Sequence, residues 1–150
     1  MQRKMLIFRD GTQEDIKHIA KLEAENFADA WSCTSIGETL AQKNAFVGVV
    51  EQANAIVGYC IVYYVMDEAE ITRIAVGETV RRQGVGRGLL DYVCKCCEKR
   101  QIERVLLDVR ESNSSARSFY EHYGFGQDGV RKNFYENPKE DGILMSLVLP

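Results

Sequence analysis

The spacing of apolar residues changes several times along the chain, and each change predicts a different kind of element. Residues 5–9 form a short apolar run that predicts a strand. The segment Thr12 to Asp15 has the form of a capping box, which predicts a helix with Ile16 and Ile19 on one face. Residues 35–38 repeat this start signal and predict a second, shorter helix. A strand and two helices are therefore expected first.

The apolar period next falls to two, which is typical of β-strands. Residues 46–50 and 56–66 are rich in Val, Ile and Tyr, and the short segment Gln-Ala-Asn at 52–54 between them predicts a hairpin. Residues 70–76 predict a third strand, entered through an acidic turn at 67–69. This part of the chain is therefore expected to form antiparallel strands.

The following segments alternate between helix-like and strand-like patterns. A loop rich in glycine and arginine follows Gly77 and runs into a segment of helical spacing that starts at Leu89 and should end near Arg100. Residues 105–109 predict the next strand. Strand, helix and strand in this order predict a β-α-β crossover.

The C-terminal part predicts one more helix and a closing hairpin. Residues 112–113 predict the cap of a helix that continues to about Tyr123, where the glycines that follow predict its end. Residues 134–135 and 143–149 predict the two strands of the hairpin. The element order is therefore βααβββαβαββ. It predicts one α/β domain over residues 1–150, with a mixed sheet and helices packed on it.

Composition and charge narrow the class of protein. With 45% hydrophobic and 27% charged residues, the chain has the composition of a water-soluble globular protein. It lacks the run of about 18 apolar residues that crosses a bilayer and the N-terminal apolar run of about 7 to 15 that marks a secretory signal. No membrane contact and a cytoplasmic location are therefore expected. A net charge of −3 argues against a nucleic-acid partner and favours a cationic substrate.

The five cysteines are expected to be reduced thiols, because their number is odd and three of them crowd one predicted helix. Cys94 and Cys97 form a C-x-x-C pair, but no second pair follows. The two histidines, His18 and His122, do not complete a four-ligand zinc site by motif spacing. No metal is therefore expected.

The strongest chemical signal is the loop from Arg81 to Gly88, between a predicted strand and a predicted helix. Its three glycines let the main chain approach a ligand closely, and successive N–H groups at a helix start can hold phosphate oxygens. Arginines at positions 81, 82 and 87 add positive charge. The loop is therefore predicted to bind a phosphorylated ligand. A flexible loop with solvated charges is the alternative, which this placement disfavours.

Glycine spacing separates the known kinds of phosphate loop. A P-loop NTPase needs a Lys-Ser or Lys-Thr pair after its last glycine, and no such pair is present. A dinucleotide-binding fold needs G-x-G-x-x-G after its first strand, whereas Gly84, Gly86 and Gly88 have another interval. The remaining pattern, R-x-x-G-x-G, is matched from Arg81 to Gly86.

These residues resemble the GCN5-related N-acetyltransferases (the GNAT family), in which R-x-x-G-x-G holds the pyrophosphate of acetyl-CoA. Residues 113–125 also resemble the family segment N-x-x-A-x-x-x-Y-x-x-x-G-F. Over nearly the whole chain the sequence is most similar to the RimI type, which acetylates the N-terminal amine of a small-subunit ribosomal protein. The further segments that carry this similarity are residues 30–32, 67–71, 74–76, 131–135 and 141–145. The resemblance implies a mixed, mostly antiparallel sheet of about seven strands flanked by about four helices.

The resemblance also implies that acetyl-CoA is the cofactor and that two elements hold it. The strand before the loop would bond the pantetheine arm through main-chain groups of Ile74, Ala75 and Val76, as an added strand does. The side-chain amide of Asn113 would bond the same arm, although it would serve equally as a helix N-cap. The pyrophosphate would be held by Arg81, Arg82, Gln83, Gly84, Val85, Gly86, Arg87 and Gly88.

By the same resemblance, Tyr120 is the general acid. A phenol with a pKa of about 10 stays protonated at neutral pH and can donate to a thiolate whose conjugate acid has a pKa of about 8.5. Core packing is the alternative role, because Phe119, Tyr120 and Tyr123 would share one helix.

Two carboxylates are candidates for the general base. The RimI type has glutamate at the strand position of Asp108, and the loss of one methylene favours a bridging water over direct contact with the amine. Glu70 is the rival base, and a reaction without a protein base is the third option. An α-amine with a pKa of about 8 is already partly neutral at pH 7, unlike lysine at about 10.4. Cys60 has no activating base near it in sequence, which favours direct attack over an acyl-cysteine.

The sequence is compatible with three functions. The first is acetylation of a protein N-terminus, with a ribosomal protein as the acceptor that the resemblance implies. The second is acetylation of a small amine, an antibiotic or a lysine side chain, and the third is a non-catalytic acetyl-CoA sensor. Trp31 and Tyr135 are expected to frame the acceptor groove, whose shape would separate the first two. A monomer or weak homodimer is expected.

Overall fold

The computed structural model describes residues 5–81 and 83–150, which form seven strands and four α-helices in the predicted order. The strands are β1 (Leu6–Asp10), β2 (Ala45–Gln52), β3 (Ala55–Val65), β4 (Glu68–Val76), β5 (Arg104–Arg110), β6 (Gly126–Tyr135) and β7 (Glu140–Val148). The helices are α1 (Ile16–Asn26), α2 (Cys33–Leu40), α3 (Val85–Lys99) and α4 (Ser114–Tyr123). Short 3-10 turns occupy Gln13–Asp15 and Glu78–Val80.

The strands form one sheet in the order β1-β2-β3-β4-β5-β7-β6. Neighbours are antiparallel except β4 and β5, which are parallel. The predicted α/β fold, with a mixed and mostly antiparallel sheet, is therefore confirmed, and so is the hairpin between β2 and β3. Its two-residue loop holds Ala53 and Asn54 at φ angles of 52° and 64°, as a type I′ turn requires.

Helices cover both faces of the sheet. On one face, α3 and α4 bury the larger core, to which they contribute Leu89 and Tyr120. On the other face, α1 and α2 bury a smaller core with Ile19 and Ile36. Side chains alternate between the faces along a strand, so a polar residue between two buried residues of β5 points to the face that carries α1 and α2.

Several elements begin earlier than predicted, among them α2, α3 and β6, and α3 begins at Val85 rather than Leu89. Helix α2 begins at Cys33 rather than Ser35, because the Ser32 hydroxyl caps it by accepting the Ser35 amide at 3.1 Å. Strand β6 begins at Gly126 rather than Phe134. It lies at the edge of the sheet with most of its side chains exposed, so it lacks the apolar alternation that identifies a half-buried strand.

The five cysteines are free thiols, as predicted. Cys60 is fully buried, which raises the pKa of its thiol to about 12, so it stays protonated and is a poor nucleophile. Across residues 5–81 and 83–150, no three His, Cys, Asp or Glu side chains converge as metal ligands do. No helix in the same ranges is long and apolar enough to span a bilayer.

Gly48 on β2 lies against the ring of Tyr92, and a Cβ at Gly48 would come within 2.5 Å of Tyr92 Cε1 and 3.0 Å of Cys60 Sγ. We expect Gly48→Ala to lower the free energy of unfolding by about 1–3 kcal/mol, because the core must shift to admit the methyl group. The midpoint of urea denaturation measures this change. Gly129→Ala on β6 is the control, since a Cβ there meets nothing within 4 Å. Equal midpoints for the two variants would contradict the prediction.

Candidate active site

Strands β4 and β5 pair only at one end. The parallel ladder joins residues 68–70 of β4 to residues 104–106 of β5. Both strands then continue, β4 to Val76 and β5 to Arg110, but each follows its other neighbour, β3 or β7. A cleft therefore opens between the two strands toward their C-terminal ends, which is where open α/β sheets bind ligands.

The cleft edge of β4 carries unpaired main-chain groups. The Gly77 amide donates to the Val57 carbonyl of β3 at 2.7 Å, and successive residues of a strand direct their main-chain groups to opposite edges. Ala75 therefore bonds β3, while Ile74 and Val76 direct their N–H and C=O groups into the cleft. Of the three residues expected to bond a pantetheine arm, Ile74 and Val76 have the geometry for it and Ala75 does not.

The start of α3 offers a short row of free amides. Gly84 is the N-cap residue, with a φ of 80° that glycine adopts without strain. The next amides, at Val85, Gly86 and Arg87, have no acceptor within the helix. The Gly88 amide, in contrast, already donates to the Gly84 carbonyl at 3.0 Å. Three amides at the positive end of a helix can therefore hold an anion, and Gly88 does not contribute to that row.

The side chains of the loop are exposed around this row. Arg81 donates to an asparagine of α1 at 3.1 Å, and Gln83 accepts from a glutamine at the end of β2 at 3.3 Å. The Arg87 guanidinium lies 5.6 Å from the centre of the Tyr123 ring. Arg82, which was also predicted to bind the pyrophosphate, lies outside the described residues. Arg81 and Arg87 thus leave positive charge at the surface of the loop.

Phe119 of α4 borders the loop, although the sequence suggested only core packing for it. A Cβ at Gly86 would lie 3.2 Å from Phe119 Cζ, and 37% of Phe119 is exposed. An exposed ring beside an anion site gives an apolar surface to the rest of a nucleotide-linked ligand. The sequence did not reveal this, because three aromatic residues share α4 and the pattern does not show which of them is exposed beside Gly86.

Asn113 caps α4. Its side-chain oxygen accepts the Ala116 amide at 3.2 Å. The side chain is exposed, and its NH2 group has no hydrogen-bond partner among the described residues. Capping therefore uses the oxygen and leaves both N–H donors for a ligand, so that the two roles considered for Asn113 are compatible.

Asp108 lies on β5 where that strand borders the cleft, and it points to the face of the sheet that carries α1 and α2. Its side chain is 9% exposed, and Arg131 Nε lies 3.0 Å from its Oδ1. Burial raises the pKa of this carboxyl above its usual value, and the charge of Arg131 opposes that rise. The ion pair was not predicted, because Arg131 belongs to the part of β6 that the sequence did not identify as strand.

Tyr120 is almost fully buried on α4. Its ring lies 5.3 Å from that of Phe119 and 5.6 Å from that of Phe125, measured between centres. Burial, with a smaller contribution from Tyr135, raises the pKa of Tyr120 to about 12. Its hydroxyl has no hydrogen-bond partner among the described residues. The phenol therefore stays protonated at neutral pH and has a free donor.

Tyr135 interacts electrostatically with both Asp108 and Tyr120. Burial and then the charge of Asp108 raise the pKa of Tyr135 to about 12, while Tyr135 itself acts on the pKa of Tyr120. The Arg110 guanidinium lies 4.6 Å from the centre of the Tyr135 ring. Asp108 of β5 and Tyr120 of α4 thus both interact electrostatically with Tyr135 at the end of β6.

Glu70 lies at the closed end of the cleft, and Trp31 lies close to β4. Glu70 is exposed at the last paired position of β4, opposite Leu106. Trp31, in the loop between α1 and α2, is half-buried, and the centre of its ring is 5.4 Å from the guanidinium of Arg73 on β4. It also lines a pocket of about 280 Å3 with Tyr63 of β3 and side chains of α2. Trp31 therefore lies on the β4 side of the cleft, whereas Tyr135 lies on the β5 side.

This fold and its cleft define a class of enzyme, the N-acetyltransferases that use acetyl-CoA, and solved structures of that class align with almost the whole chain. The crystal structure of the ribosomal-protein-S18-alanine N-acetyltransferase from Escherichia coli has a TM-score of 0.88 at 29% identity, over 97% of this chain and 94% of that one. Ard1 from Thermoplasma volcanium has a TM-score of 0.89 at 25% identity, over 97% and 98% of the two chains.

Sequence comparison then gives the family. Residues 15–125 match the model of the acetyltransferase (GNAT) family. A Bacillus subtilis (strain 168) protein, provisionally named a ribosomal protein bS18-alanine N-acetyltransferase, is 35% identical over 88% of each chain. The enzyme of that name from Haemophilus influenzae is 30% identical over 90% of this chain and 93% of its own. The chain therefore belongs to the acetyltransferase (GNAT) family, as its motifs predicted.

Proposed function

We propose that this enzyme acetylates the N-terminal α-amine of a protein and that its acceptor is ribosomal protein bS18. The proposal rests on the cleft between β4 and β5, on the unpaired main-chain edge of β4 and the free amides at the start of α3, and on Asp108 and Tyr120, which both interact electrostatically with Tyr135. Relatives that share most of the chain are named for this reaction. A bacterial ribosomal protein is made in the cytoplasm, where we expect the enzyme to act.

The donor groups of the cleft fit acetyl-CoA. The unpaired N–H and C=O groups of Ile74 and Val76 match the amides of a pantetheine arm, which would bond β4 as an added strand. The free amides at residues 85–87 match a pyrophosphate. Phe119 lies beside Gly86, and the free NH2 group of Asn113 is a further donor for the pantetheine arm. Acetyl-CoA supplies the acetyl group as a thioester, which a neutral amine can attack at its carbonyl carbon.

Asp108 and Tyr120 account for the two protons of the transfer. Asp108 accepts the proton that the acceptor nitrogen loses as its bond to carbon forms, directly or through a water. Burial raises the pKa of Asp108, which makes it a stronger base than a solvated aspartate, and Arg131 fixes its position. Tyr120 donates its proton to the sulfur as the carbon–sulfur bond breaks, and later regains a proton from solvent. The products are the acetylated amine and the CoA thiol.

The amine class follows from the strength of this base. An N-terminal amine with a pKa of about 8 is partly neutral at pH 7, so a weak base is sufficient to remove its proton. A lysine amine with a pKa of about 10.4 is almost fully protonated at pH 7 and needs a stronger base. A carboxylate that is paired with arginine suits the first acceptor better than the second.

Acetylation of defined peptides tests this proposal. The enzyme is mixed with acetyl-CoA and a peptide of the bS18 N-terminus that begins with alanine, and mass spectrometry locates the acetyl group while thiol release gives the rate. The control is the same peptide with a blocked α-amine and an internal lysine. We expect acetylation only at the free α-amine. Acetylation of the internal lysine would favour a lysine acceptor, and cofactor binding without thiol release would favour a sensor.

A further inference from the structure

A carboxylate is buried on the face of the sheet that carries α1 and α2, near Trp31. Glu23 of α1 is 0% exposed. The Tyr59 hydroxyl of β3 donates a short hydrogen bond to its Oε1, and the Trp31 amide donates to its Oε2 at 2.9 Å. Burying a carboxylate is unfavourable unless charges and donors compensate it, so this position demands partners that an apolar residue would not need.

Arg73 of β4 is the compensating charge, and it extends the network into the loop between α1 and α2. Its Nε lies 3.2 Å from Glu23 Oε2. Its guanidinium donates to the Asp29 carbonyl at 3.2 Å and lies 3.3 Å from the carboxylate of the same residue. The ring centres of Phe27 and Trp31 are 4.5 and 5.4 Å from the guanidinium carbon. One arginine therefore contacts three residues of this loop.

The network of Glu23, Tyr59 and Arg73 lies between Trp31, on the acceptor side, and the edge of β4 that is proposed to bind acetyl-CoA. Among the described residues, its hydrogen bonds and ion pairs do not include Asp108 or Tyr120. The loop between α1 and α2 carries Trp31, which lines the pocket of about 280 Å3 together with Tyr63. Arg73 is adjacent in sequence to Ile74, whose main chain faces the cleft. Burial raises the pKa of Tyr135, and the charge of Arg73 is among those that oppose this rise. A shift of Glu23 would therefore act first on Trp31, whose amide it accepts, rather than on the start of α3.

We propose that Glu23, with Arg73 and Tyr59, is a positioning residue for acceptor recognition: it fixes the α1–α2 loop so that Trp31 forms one wall of the groove for the acceptor peptide. This inference rests on the proposed function for its kinetic consequence. Its structural consequence, the fixed position of Trp31, holds for any acceptor.

The variant Glu23→Gln tests it, because the amide keeps the size of the side chain and removes its charge. Trp31 is the one tryptophan of the chain, so its fluorescence reports the loop directly. We expect red-shifted emission and stronger quenching by acrylamide in the folded variant. With the bS18 peptide we expect KM to rise about tenfold or more, while kcat stays within about threefold and the acetyl-CoA Kd stays within about twofold.

Glu25→Gln is the matched control, since it makes the same chemical change at an exposed position of the same helix. Should Glu23→Gln fail to fold, Tyr59→Phe removes a single hydroxyl from the network and should shift the emission in the same direction. Wild-type emission, quenching and KM in a folded Glu23 or Tyr59 variant would overturn the inference. A wild-type enzyme that leaves the peptide unmodified would refute the proposed acceptor instead, and the fluorescence result would still decide the role of Glu23.

Discussion

Asp108→Asn should lower kcat/KM for the acceptor peptide by about 100-fold or more, the contribution typical of a general base. The asparagine side chain has the size of the aspartate but cannot take a proton. Because the pKa of Asp108 is raised, the base is lost in the wild type as pH falls through that raised value. Activity on the acid side should therefore decline more steeply in the wild type than in the variant, where only the ionisation of the amine remains.

Two controls separate this role from a general effect of charge. Asp128→Asn removes another aspartate that is paired with arginine, at 3.1 Å from Arg104, and should leave kcat/KM within about threefold of the wild type. Glu70→Gln tests the rival base. If Glu70→Gln lost more activity than Asp108→Asn, or if Asp108→Asn kept most of the wild-type rate, Asp108 would not be the base.

Tyr120→Phe should lower kcat by about 100-fold with little change in KM, since the hydroxyl is needed only as the sulfur leaves. The ring and its packing on Phe119 and Phe125 remain. A pKa of about 12 keeps the phenol protonated at neutral and moderately alkaline pH, so wild-type kcat should not decline there through loss of this proton. Single-turnover measurements with saturating acetyl-CoA give the rate of the chemical step.

Tyr123→Phe is the matched control for this change. It lies on the same helix, and its hydroxyl donates to Asp91 at 2.6 Å, so its loss should affect stability rather than turnover. Equal effects of the two substitutions on kcat would show that Tyr120 acts through packing alone.

The sequence predicted well those elements whose pattern is local. The hairpin between β2 and β3 has strong alternation on both sides of a short polar loop, and Asn54 tolerates the positive φ of its turn. Glycine spacing and the strand-to-helix junction predicted a row of free amides at the start of α3, where the structure leaves those of residues 85–87 without an acceptor in the helix. The same motifs could not show that the Gly88 amide is already bonded within the helix, because the first residue of a helix is uncertain by several residues until its cap is seen.

What the sequence could not supply depends on contacts between distant segments. Ala75 was grouped with Ile74 and Val76, because the edge to which each residue directs its N–H and C=O groups depends on the register between β3 and β4. Glu23 was not singled out, because a glutamate in an amphipathic helix usually faces solvent. Its burial requires Tyr59 and Arg73, which are far from it in sequence. The partner of Asp108 was missed for the same reason.

The roles proposed for the cleft residues all require that acetyl-CoA binds along the open edge of β4. Amide hydrogen exchange of the free enzyme and of its complex with acetyl-CoA tests this binding most directly. The amides of Ile74 and Val76 should exchange rapidly in the free enzyme and become protected in the complex, whereas the Ala75 amide should be protected in both. Unchanged exchange at Ile74 and Val76 under saturating acetyl-CoA would show that the cofactor does not bind along this edge.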